Sequence, residues 1–115
     1  MEKDDRVFLQ HVLDSITIIE EYLQGVDEEK FMQTRLLQDG VIRQIEIVGE
    51  AIRHVSRDMR RTYSEIPWQD VAGMRDKLIH DYFGVDLEKV WLTTQDDLPV
   101  LKQKIAGILN DFGGK

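Results

Sequence analysis

The densest run of reactive side chains is Arg75-Asp76-Lys77-Leu78-Ile79-His80-Asp81-Tyr82. An imidazole that titrates near neutral pH, a permanently charged guanidinium and an orienting carboxylate are what transesterification of an RNA phosphodiester requires. His80 can take the proton of a ribose 2′-OH or protonate a leaving 5′-oxygen, Arg75 can neutralise charge growing on the phosphorus-bound oxygens, and Asp76 can orient the imidazole. Such chemistry needs no metal. On one continuous helix, Asp76 and His80 share a face, whereas Arg75 and His80 diverge by about 140° and lie about 7.5 Å apart along the axis. Arg75 then reaches a common site only through its long side chain, or by serving a second subunit. The same residues also suit a plain helix end, with Asp76 pairing with His80 or Lys77 and the cations complementing the C-terminal dipole.

Other clusters carry less. Arg53, His54, Arg57, Arg60 and Arg61 form a basic group that could grip RNA phosphates or an acidic partner, or simply complete a solvated helix terminus. Glu46, Glu50 and His54 follow one another at helical spacing, but the Glu-x-x-His pattern of di-iron bundles is missing, so no metal site is expected. His11 with Asp14 reads as surface, and Trp68 and Trp91 as core. There is no Gly-rich phosphate loop and no Ser or Thr in a recognisable nucleophile setting.

The elements that must position these residues are helical. Asp4 to Gln24 places Val7, Phe8, Val12, Leu13, Ile16, Ile19 and Leu23 mostly three and four apart. Asp27 is an expected N-cap for a short helix, Glu28 to Gln33. Arg35 to about Arg57 predicts the central helix, in which Gly40 and Gly49 point to close packing against another backbone, or to a tolerated local weakness. A turn or short helical turn over Asp58 to Ser64 leads to a third main helix from Pro67 to about Tyr82, carrying the reactive run near its end. Asp86 caps a segment with Leu87, Val90, Trp91 and Leu92, and Asp97-Leu98-Pro99 restarts or kinks a last helix. No segment alternates with period two, so the expected class is all-α, an up-and-down bundle of four to five helices.

A chain of 115 residues, 42% hydrophobic and with 2 Pro, supports one domain over residues 1–115. The absence of cysteine excludes disulfides, thiolate zinc sites and cysteine nucleophiles. The charged N-terminus and the lack of a long apolar run lead us to expect a cytoplasmic protein without a membrane span. A net charge of −7 opposes attraction to a polyanion, so any nucleic acid must be met by local cations such as Arg75, Lys77, Arg53 and Arg57.

The sequence also resembles the HepT-like toxin family of the HEPN superfamily over nearly its whole length. The resemblance rests on Arg43-Gln44-Ile45-Glu46-Ile47-Val48-Gly49-Glu50-Ala51, on Ile66-Pro67-Trp68, and on Met74 to Asp86 with Arg75, four intervening residues, His80 and then Tyr82. Val90-Trp91 and Asp97-Leu98-Pro99 follow in the same order. What the resemblance implies is a metal-independent RNA endonuclease without cofactors, the toxin of a type VII-like toxin–antitoxin pair. Arg75 and His80 match its catalytic pair and Asp76 the polar residue after the Arg. A minimal nucleotidyltransferase antitoxin of the MntA type would silence it by transferring AMP to Tyr82. Members can also bind without cutting, so a non-catalytic HEPN module that binds a nucleotidyltransferase or a nucleotide is the alternative. One histidine in the motif is short of the two proton-transfer groups that cleavage ideally uses, which predicts a homodimer with a composite cleft, open to higher assembly.

Overall fold

The computed structural model describes residues 3–80 and 84–113. Three long helices make the frame: α1 (Lys3–Tyr22), α3 (Arg35–Arg53) and α8 (Leu98–Gly113). The Asp5 carboxylate, near the start of α1, accepts hydrogen bonds from the Ser56 backbone N–H at 2.8 Å and the Ser56 hydroxyl at 2.7 Å, just beyond the end of α3. Lys102 of α8 donates to Glu20 of α1 at 2.6 Å. Helix α1 therefore runs antiparallel to both α3 and α8, and the class is the expected all-α bundle.

The core lies where the three apolar stripes meet: Leu9, Val12, Ile16 and Ile19 of α1, Val41, Ile45, Val48 and Ile52 of α3, and Leu98, Leu101, Ile105 and Ile108 of α8. The first stripe is Leu9-based, and Val7, expected inside, is 46% exposed. A residue two positions from Leu9 points across the helix, so one turn decides which of them is covered.

Each boundary has a local cause. Gly25 adopts φ +74° after α1, a conformation that a Cβ would strain. Asp27 caps α2 (Glu28–Gln33), accepting from the Lys30 N–H at 2.8 Å. The side-chain amide of buried Gln38 donates to the Phe31 and Met32 carbonyls, satisfying the end of that helix. Helix α3 stops at Arg53, short of the expected Arg57, because Ser56 caps a separate short helix, α4 (Arg57–Thr62), where a turn or short helical turn was expected. The Arg60 guanidinium donates to the Ile52 carbonyl at 2.8 Å and so closes the end of α3.

The largest departure concerns the third main helix. It is two short pieces, α5 (Trp68–Ala72) and α6 (Met74–Leu78), broken at Gly73. Helix α6 ends before His80, and β1 (Ile79–His80) pairs antiparallel with β2 (Gly84–Val85), Ile79 opposite Val85. Two residues per strand are too few for period-two alternation to show in the sequence, and the break at Gly73 makes the expected four to five helices an undercount. Helix α7 (Leu87–Leu92), capped by Asp86 as expected, continues through a wide π-type turn (Thr93–Asp97) into α8. In a straight α-helix Leu98 would lie about 80° round from Val90; the wider turn lets both face the core.

Gly49 confirms the close packing expected of it. A Cβ there would sit 3.0 Å from the Ala72 carbonyl oxygen, so α3 and α5 meet backbone to backbone. Gly49→Ala should lower stability by about 1–2 kcal/mol in urea unfolding, because the overpacking cost exceeds the gain in helix propensity. A variant more stable than wild type would contradict this contact. Gly40 instead faces the Tyr22 ring, 3.0 Å from where a Cβ would be.

Candidate functional site

The break at Gly73 sets how the reactive run is displayed. Met74 and Leu78 of α6 turn toward α7 and α8, which leaves Arg75 free to cross to the central helix. Its Nε donates to Glu46 Oε2 at 2.6 Å, and Glu46 also lies 4.0 Å from the Arg43 guanidinium. This hydrogen bond, with the nearby carboxylates, outweighs burial and raises the Arg75 pKa above its ordinary value, so the guanidinium is cationic at any working pH. An Nη of Arg75 lies 3.5 Å from Asp76. With Nε taken by Glu46 and one Nη beside Asp76, the second Nη of this half-exposed side chain can meet a phosphate.

Asp76 accordingly sits beside Arg75, not one helical turn below His80. The expected Asp76–His80 face does not exist, because α6 ends at Leu78 and Ile79 is already extended at φ −116°, ψ 120°. The same finding removes the 140° and 7.5 Å relation of Arg75 to His80. His80 is placed by its backbone opposite Gly84, at the mouth of the short ladder. The orientation of its ring and the whole of Tyr82 lie outside the described residues.

Lys77 departs from Arg75: its ammonium lies 3.3 Å from Asp70 and lines a cleft of about 550 Å³ between α6 and the α7–α8 rod. Arg53 lies 3.5 Å from Glu50, and Arg57 opens α4 on the exposed surface. The basic group is therefore divided among local partners, with Arg60 spent on capping and Arg61 held by Asp58 at 3.3 Å. Of the carboxylates considered as metal ligands, Glu46 is bound to Arg75, and Glu50 to Arg53 and His54.

Two features escaped the sequence. Glu46 as the partner of Arg75 spans 29 positions and two elements, and helical periodicity reports only neighbours on one helix. The His54 ring stacks on Phe8, centroids 4.9 Å apart and planes 19° apart, and His11 meets the same Phe8 edge-on at 6.3 Å. These rings and Glu46 border one cavity of about 270 Å³, on the outer side of α3.

Among the described residues no helix is long and apolar enough to cross a membrane. Comparison with known proteins finds the "Ribonuclease HepT-like" family model over residues 12–108. A Methanocaldococcus jannaschii protein named "Gamma-glutamylcyclotransferase and putative RNase MJ0434" is 46% identical over 97% of this chain, which spans half of that protein's length. "Probable ribonuclease HepT" of Thermococcus cleftensis is 41% identical over 90% of this chain and 94% of its own length. "Putative RNase MJ1216" of M. jannaschii is 36% identical over 99% of this chain and 94% of its own. No solved structure matches.

Proposed function

Because the chain belongs to the ribonuclease HepT-like family, we propose that it is a metal-independent RNA endonuclease acting as the toxin of a toxin–antitoxin pair. The observation that carries this reading is the half-exposed Arg75 guanidinium, anchored through Nε by Glu46 and flanked at one Nη by Asp76. The 2′-oxygen of a ribose attacks the adjacent phosphorus, its proton going to an imidazole, and the bond to the 5′-oxygen breaks as that oxygen gains a proton. The products are a 2′,3′-cyclic phosphate and a 5′-hydroxyl. Arg75 stabilises the phosphorane oxygens and His80 moves the protons. Asp76, beside Arg75, helps to orient the guanidinium, in addition to the imidazole role read from the sequence.

A homodimer that brings two copies of the Arg75–His80 segment together supplies the second imidazole. Control comes from a minimal nucleotidyltransferase: the Tyr82 phenol loses its proton and attacks the α-phosphorus of ATP, pyrophosphate leaves, and AMP remains on the oxygen. The added phosphate, two positions from His80, repels RNA. Arg53, Arg57 and Lys77 contribute longer-range attraction for the strand, so cleavage weakens as salt rises.

In EDTA, the purified protein is expected to convert RNA to fragments ending in 2′,3′-cyclic phosphate, and His80→Ala to lose about 10²–10⁴-fold in rate. Equal cutting by the His80 variant would overturn the catalytic assignment. Co-expression with a minimal nucleotidyltransferase of the MntA type, followed by peptide mass spectrometry, should place AMP on Tyr82; an unmodified Tyr82 beside an active transferase overturns the regulatory one. The pairing of Arg75 with two carboxylates favours the second reading, a non-cutting module that binds the transferase, and that reading predicts loss of complex formation in place of loss of cleavage.

A further inference from the structure

We propose that His54, stacked on Phe8, is a binding position for a nucleobase of single-stranded RNA, flanking the phosphate held at Arg75. This rests on the RNA-cleavage reading and adds to it a substrate contact outside the Arg75–His80 motif. His54 lies eight positions after Glu46, and its ring is held toward the same outer side of α3. Eight residues of helix span about 12 Å. A base at His54 therefore belongs to a neighbouring nucleotide and not to the one being cut.

The imidazole is fixed at two points, its flat face on Phe8 and its Nε2 3.3 Å from Glu50 Oε1, yet its side chain remains 54% exposed. A rigid, exposed ring is what base stacking uses, since every base offers a π-face and unpaired RNA is read largely by stacking. The adjoining cavity, about 270 Å³, lies below the roughly 300–1,000 Å³ of sites for drug-sized ligands and so suits one ring better than a whole nucleotide. Its charge points the same way. Glu46 and Glu50 on its wall repel phosphate but accept hydrogen bonds from the exocyclic amino groups of adenine, cytosine and guanine. Arg43, also on that wall, and Arg53, beside Glu50, can carry the flanking phosphates.

The test measures binding of a 2′-O-methyl adenosine hexamer, which lacks the attacking hydroxyl and cannot be cut, by fluorescence anisotropy at low salt. His54→Gln, which loses the ring while keeping a side-chain hydrogen-bonding group, should weaken binding roughly 5- to 150-fold, the range expected for one stacked base. His54→Phe should restore most of it. Equal affinity of wild type and His54→Gln, with wild type cutting RNA normally, overturns this inference alone. The expected loss and rescue in a protein that cuts nothing would uphold the base site and sink the catalytic reading. A wild type that does not bind the hexamer overturns both. Loss of binding that follows dissociation of dimers in sedimentation, and recovers at high protein concentration, overturns the base site in favour of a subunit interface.

Discussion

Arg75→Ala is expected to lower the RNA cleavage rate about 10²–10³-fold while leaving the thermal unfolding midpoint close to that of wild type. The magnitude is that of removing one preorganised donor from a developing oxyanion. The fold tolerates the change because the side chain is half-exposed, and its bonds to Glu46 and Asp76 are surface contacts, not core packing. Arg75→Lys separates charge from geometry. An ammonium keeps the cation but cannot both satisfy Glu46 through Nε and present a planar edge to phosphate, so it should recover only a small part of the rate. Single-turnover cleavage of a short labelled RNA checks both variants. Wild-type rates in Arg75→Ala would remove the guanidinium from the mechanism.

Phe31→Ala is expected to destabilise the fold by about 3–5 kcal/mol, a loss of roughly 10–25 °C in unfolding midpoint for a chain of this size. Phe31 is fully buried and is the one buried side chain of the six-residue helix α2. A helix that short has no stability of its own and depends on tertiary packing. The Phe31 ring packs on Trp91 of α7 at 5.5 Å, while its carbonyl is bound by Gln38 of α3. Truncation opens a cavity between three elements and unseats the strut that joins them. Calorimetry measures the drop, and a shift of under about 3 °C would mean that α2 does not depend on this anchor.

The long helices were legible because each repeats its apolar spacing over many turns, and the Asp27 and Asp86 caps because a cap is a local bond. The reactive run was legible as chemistry but not as geometry. Asp76 and His80 stand four apart, which means a shared face only where the helix continues, and nothing between them marks the end at Leu78. Gly73 was the available signal for the break, but a lone glycine within helical periodicity is often tolerated. Glu46 showed its charge and not its partner, because the bond to Arg75 depends on how α6 leans against α3. The stack of His54 on Phe8 was hidden for the same reason: Phe8 lies on α1 and His54 caps the end of α3, 46 positions further along the chain.

The wide turn between α7 and α8 makes the chain's reading frame of packing sensitive to length. It absorbs a surplus residue, so deleting one position from Thr93 to Asp97 would restore ordinary winding with the downstream helix still in phase, whereas inserting one would swing everything downstream about 100° around the axis. Leu98, Leu101, Ile105 and Ile108 would then rotate out of the interior together, although none of them had been altered. A polar pentapeptide that supplies little apolar contact is in this way a segment that can lose a residue but not gain one.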